Sequence, residues 1–105
     1  MPKFILAYHG KPDVQSKEDG AEHMVKWKNW SQSLGDAVVD PGMPVSASMT
    51  ITKDGVIEGG GSNPLVGITI LEAETIEVAI SMAQGCPHIG GTGTIEVAQA
   101  MDMDL

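Results

Sequence analysis

Basic residues are scarce in this chain. Its 105 residues hold six Lys and Arg against fourteen Asp and Glu, a formal charge of −8. Lys26 and Lys28 form the only basic cluster, so the chain is expected to bind no nucleic acid, which demands concentrated positive charge along the phosphate backbone. Cysteine is rarer still. Cys86 stands alone, which excludes an intrachain disulfide and suits a reducing cytoplasm. Long hydrophobic runs are missing. The apolar stretch within Met1–His9 falls far short of the ~20 residues that a membrane span needs and lacks signal-peptide architecture, so no membrane partner is expected. The glycine run Gly59-Gly60-Gly61-Ser62-Asn63 lacks the Gly-Lys-Ser/Thr ending and the following helix of a phosphate loop. No nucleotide cofactor is expected from it. Cys86-x-His88 supplies two of the usual four zinc ligands, so no metal is expected either.

The remainder reads as one domain over residues 1–105. Apolar residues make up 42% and charged residues 19%, the balance of a soluble globular protein with one core. Phe4 to His9 reads as a buried strand bounded by Gly10 and Pro12. Ser16-Lys17-Glu18-Asp19 has the pattern that caps a helix start, and the helix should run from about Lys17 to Leu34. Met24, Trp27, Ser31 and Leu34 form its stripe, flanked by His23 and Trp30, and Gly35 stops it. Ala37-Val38-Val39 makes a short second strand, ended by Asp40-Pro41-Gly42. Met49–Thr52, a turn at Lys53-Asp54-Gly55, and Val56-Ile57 signal a hairpin. Leu65 to Leu71 is the clearest strand, being rich in β-branched residues. Thr75 caps a second helix with Ile76, Ala79, Ile80 and Ala83 on its apolar face, and Gly85 and Pro87 end it. Thr94–Ala98 closes the chain's regular structure, and the acidic tail Met101–Leu105 reads as loose. This order predicts an α+β fold: a ferredoxin-like βαββαβ unit with an extra hairpin and both helices on one sheet face. The other face needs cover, which a second copy would supply as an isologous dimer.

With that order in place the chain resembles the YCII-related family, also called DGPF-domain proteins, over nearly its whole length. The resemblance rests on an ordered set: the Phe4-Ile5-Leu6-Ala7-Tyr8 strand, Glu22-His23-Met24, Val38-Val39-Asp40-Pro41-Gly42-Met43-Pro44, Gly85-Cys86-Pro87-His88 and Gly93-Thr94-Ile95-Glu96-Val97. It implies a homodimeric α+β barrel of two ferredoxin-like sheets. It also implies, as for some members, a site built on a histidine and an aspartate, with His23 as the matching helix histidine. Three features depart from the family pattern. Cys86-Pro87-His88 stands where some relatives have acid-Pro-aromatic. Ser33 stands where relatives carry an acid, and Asp40-Pro41-Gly42-Met43 replaces the four-residue Asp-Gly-Pro-Phe signature.

Four residues are candidates for acid–base chemistry. Histidine titrates near neutral pH and so suits proton transfer. His9 ends the first strand beside a flexible turn and reads either as a pocket residue or as a solvated terminus. His23 reads either as a proton-transfer group or as a helix histidine bonded to a carbonyl. His88 follows a helix C-terminus, which favours its protonated form; its plain role would be to bond the last helical carbonyls. Asp40 is the candidate orienting acid, although an Asp before Pro-Gly more often starts a turn. Trp27, Asn63 and Cys86 are candidate ligand contacts. Cys86 makes a poor nucleophile, because a helix C-terminus raises rather than lowers a thiol's pKa. The resulting expectation is a small cytoplasmic homodimer with a pocket, between helix, sheet and neighbouring subunit, for a small organic ligand. It would act either as an enzyme using histidine general acid/base chemistry or as a non-catalytic ligand-sensing or interaction module.

Overall fold

The computed structural model describes residues 1–102, so Met103, Asp104 and Leu105 of the acidic tail lie outside the described residues. The elements run β1 (Lys3–His9), α1 (Lys17–Leu34), a single 3-10 turn (Gly35–Ala37), β2 (Val38–Pro44), β3 (Met49–Thr52), β4 (Gly55–Glu58), β5 (Leu65–Glu72), α2 (Ile76–Gln84) and β6 (Thr94–Gln99). Four strands form one sheet in the order β2-β5-β1-β6, every neighbouring pair antiparallel. The fold is α+β with two helices, compatible with a ferredoxin-like arrangement. β3 and β4 form a separate two-stranded ribbon with the expected tight turn.

Local signals set both helix starts. The Ser16 hydroxyl accepts from the Asp19 N–H, and the Thr75 hydroxyl accepts from the Val78 N–H, filling donors that the first turn leaves open. The buried stripe of α1 is centred differently from expectation. His23, Trp27, Trp30 and Leu34 face inward, whereas Met24 is 67% exposed. The Trp30 indole N–H donates to the Met82 carbonyl at 2.9 Å, tying α1 to α2 and fixing the rotation of the stripe. In α2 the buried positions are Ala79 and Ala83, and Ile80 lies outward.

Strand alternation separates the two sheet faces. Phe4, Leu6 and Tyr8 of β1 pair with Leu71, Thr69 and Gly67 of β5 and are buried beneath the helices. Ile5 and Ala7 pair with Ile70 and Ile68 on the other face, where neither helix lies. The core is therefore a single layer between sheet and helices, and the molecule is a slab 44 × 43 × 18 Å across its Cα atoms.

β2 corrects the expected strand end. It continues through Asp40-Pro41-Gly42 to Pro44, with register shifts at Val38/Asp40 and at Asp40/Met43. An edge strand tolerates Pro41, whose missing N–H interrupts no inner ladder. Gly42 has φ +70° and lies so close to the Ile68 carbonyl that any Cβ would overlap it. The turn signal in the sequence is thus a bulge, which bends the edge strand without ending it.

Candidate functional site

A cleft of about 490 Å³ opens between α1, the end of β1 and its following loop, β2, and the turn after α2. Its walls include Trp27, Met24, Met43 and Pro44, and its polar groups include His23 and His88. A larger depression, about 980 Å³, lies between residues 1–3 and 99–102, but no histidine or aromatic residue lines it. The chemistry is in the smaller one. These walls all come from a single chain.

His88 is 4% exposed. Cys86 N–H and Ile89 N–H bond the carbonyls three residues back, at 3.0 and 3.3 Å, and this turn carries the ring away from α2 toward β1. Its Nε2 lies 2.7 Å from the His9 carbonyl oxygen. A carbonyl only accepts, so Nε2 carries the proton and the neutral ring keeps its lone pair on Nδ1. The last helical carbonyls, its expected plain partners, are met instead by the backbone N–H groups of Gly85 and Cys86. No buried side-chain nitrogen or oxygen among the described residues lacks a partner. Among the described residues Nδ1 has no partner, so it is not fully buried, and the ring lines the cleft.

His23 shares the cleft through a different tautomer. Its Nε2 accepts from the Trp27 indole N–H at 2.8 Å, so the proton of the neutral ring sits on Nδ1. Burial holds its pKa below the usual histidine range, and the nearness of His88 and Lys26 pushes it the same way. Trp27 is the hub of the wall. It packs edge-on against Tyr8 and Trp30, with centroids 5.3 and 5.4 Å apart, in the geometry aromatic quadrupoles favour.

Tyr8 closes the base of the cleft. Its hydroxyl donates to Thr69 Oγ1 at 2.7 Å, and Thr69 donates to the Pro41 carbonyl at 3.1 Å. This chain of bonds ends on an acceptor and anchors the bulge of β2 to the sheet. Burial pushes the Tyr8 pKa above its usual value, so the phenol is a fixed neutral donor.

The other expected site residues lie elsewhere. The His9 ring stands on the open sheet face, with Nδ1 at 3.0 and 3.2 Å from the Asn63 and Pro64 carbonyls and Nε2 at 3.2 Å from Glu96. Only its backbone carbonyl serves the cleft. Asn63 contributes its carbonyl to His9 and does not line the cleft. Asp40 accepts from the Gly42 N–H at 2.8 Å, capping its own turn, and orients no histidine. Cys86 is buried in the core with Leu6, Tyr8 and Trp30 and does not line the cleft. Its thiol is pushed up to about 11, chiefly by burial rather than by the helix terminus, with bonds to the His88 N–H and Tyr8 in partial opposition. Of the seven candidates, the structure brings His23, His88 and Trp27 together. Lys11 and Tyr8 are cleft residues that sequence reasoning missed. Strand alternation carried a signal for Tyr8: with Phe4 and Leu6 inward, Tyr8 is inward and His9 outward.

Among the described residues no group of three or more His, Cys, Asp and Glu is placed to hold a metal ion, and no helix is long and apolar enough to cross a membrane. No family model matches the chain, and no curated protein matches it.

Proposed function

We propose that the chain is a cytoplasmic YCII-related homodimer that binds a small organic ligand in this cleft, with His88 moving a proton there. The observation that carries the reading is the bond from His88 Nε2–H to the His9 carbonyl. It fixes the tautomer and leaves a basic nitrogen at an apolar cleft, the arrangement general-base chemistry needs. A ligand C–H or O–H bond breaks as the Nδ1–H bond forms, and the resulting imidazolium keeps its Nε2–H on the same carbonyl. Return of that proton to another atom of the ligand completes an isomerisation without a cofactor. His23, neutral and anchored by Trp27, presents Nδ1–H as a donor.

The family and the ferredoxin-like barrel are supported by the ordered sequence resemblance and by the strand order β2-β5-β1-β6. The dimer is supported by surface area. The chain exposes 7526 Å², against about 5,600 Å² for a folded monomer of this size. Its radius of gyration is 15.0 Å, against about 13 Å for a compact domain. The excess, roughly 1,900 Å², exceeds the ~800 Å² per partner that a stable interface buries. The open sheet face has an apolar centre of Ile5, Ala7, Ile68 and Ile70 and carries both charge signs, Lys3 opposite Glu72 and His9 beside Glu96. Such a face is self-complementary about a two-fold axis.

One observation favours a second reading. The Trp27 N–H occupies Nε2 of His23, and among the described residues no carboxylate lines the cleft to orient either ring, which suits a non-catalytic ligand sensor. Phenylpyruvate in D₂O separates the two, since its methylene exchanges through an enol. The enzyme reading predicts exchange above the spontaneous rate with wild type and none with His88→Gln. Binding without enhanced exchange would leave the sensor.

A further inference from the structure

Among the described residues, the fixed charge lining the cleft is opposite in sign to the charge of the molecule. The chain has fourteen acidic residues against six basic ones, and all six are lysines, since it contains no arginine. Yet among the described residues no Asp or Glu lines the cleft, whereas Lys11 does, beside the rings of His23 and His88. The placement of Lys11 is fixed by its backbone. Its N–H donates to Thr92 Oγ1 at 3.0 Å, and its carbonyl accepts from the Thr92 N–H at 3.0 Å. Among the described residues no carboxylate lies within ion-pair distance of its ammonium; the one contact at that distance joins the His9 ring to Glu96. Asp13, two residues on, accepts from the Gln15 side chain.

Lys11 and His88 stand at the same end. His88 bonds the carbonyl of His9, two residues before Lys11, and Thr92, which clamps Lys11, lies four residues after His88. The remaining wall is apolar: Trp27, Met24, Met43 and Pro44. A cation without a counter-ion, at the mouth of a cleft with low-dielectric walls, concentrates anions there against the repulsion of the acidic surface.

We propose that the ligand is a small organic anion: a carboxylate held at the Lys11–His88 end, on an apolar or aromatic body lying against Trp27. This deepens the ligand-site reading above and rests on it. A carboxylate fits better than a phosphate. The site offers one lysine and no arginine, and neither helix begins at it, so the cluster of donors that a dianionic phosphate requires is missing.

The test follows the Trp27 indole N–H signal by NMR, assigned with Trp27→Phe, during titration with phenylacetate, phenylacetamide and phenyl phosphate. Phenylacetate should bind about tenfold tighter than its neutral amide, the usual worth of a charged hydrogen bond. Lys11→Met should erase that gap. Lys53→Met, which removes the same net charge from the β3–β4 turn, should preserve it. Circular dichroism checks that both variants are folded; Lys11 has no side-chain partner whose loss would unfold the chain. Equal binding of acid and amide would overturn the anion proposal and leave a neutral-ligand site. A gap that survives Lys11→Met, or tighter binding of phenyl phosphate, would also overturn it. If none of the three moves the Trp27 signal, the ligand-site reading falls, and this inference with it.

Discussion

His88 donates its Nε2–H to the backbone carbonyl of His9, 2.7 Å away, across 79 residues of chain. That bond closes the turn after α2 onto the end of β1 and sets which nitrogen of the ring faces the cleft. Replacing His88 by Ala leaves a part-buried carbonyl without this donor, a loss of about 1–3 kcal/mol. His88→Gln restores an N–H donor and should recover part of it. Urea denaturation of the three proteins gives the comparison. Equal midpoints for wild type and His88→Ala would mean the bond contributes nothing.

Gly42 and Gly20 should respond to alanine with opposite signs. At Gly42 the backbone is left-handed and a Cβ would overlap the Ile68 carbonyl, so Gly42→Ala should cost about 1–3 kcal/mol. Gly20 lies inside α1 with only Val14 Cγ1 near, at 3.8 Å. There Ala should add about 0.5–1 kcal/mol through lower unfolded-state entropy and better helix propensity. Thermal melts of both variants decide it.

These two glycines also show how far the sequence could be read. Ends governed by neighbouring residues were legible: Ser16, Thr75 and Gly35 delimit α1 and α2 where expected. The continuation of β2 past Asp40-Pro41-Gly42 was not, because what holds it is the Ile68 carbonyl and the Tyr8–Thr69–Pro41 bonds, all distant in sequence. In the site, His88 and Trp27 were legible as residue types in suitable places, and His23 through the resemblance. The outward turn of the His9 ring follows from alternation along β1. Lys11 carried no motif at all; its place depends on the clamp by Thr92.

Stability should fall at alkaline pH. The folded thiol of Cys86 sits at about 11, against an ordinary 9.0. Between those values the unfolded chain has lost the proton that the folded chain keeps, so stability decreases as pH rises through that window. Tyr8, also raised by burial, acts in the same direction at still higher pH. Denaturation midpoints measured from pH 8 to 11 should decline, and Cys86→Ala should decline less. An alkylating reagent at pH 8 should label the native protein far more slowly than the denatured one.

The open sheet face predicts association. Sedimentation at micromolar concentration should give the mass of two chains, and Ile70→Lys, which places a charge at the centre of that face, should give one. A wild-type monomer under those conditions would contradict the dimer while leaving the cleft intact.

In the proposed site, His88 turns the Nδ1 lone pair of its ring to the ligand cleft. Long-range ¹H–¹⁵N correlation of the imidazole rings tests it most directly, in the free protein and with phenylacetate added. His88 should show its proton on Nε2, His23 should show the opposite tautomer, and the His88 Nδ1 signal should change when the ligand is added. A His88 ring protonated at Nδ1, or an Nδ1 signal that ignores a ligand shown to bind at Trp27, would contradict it.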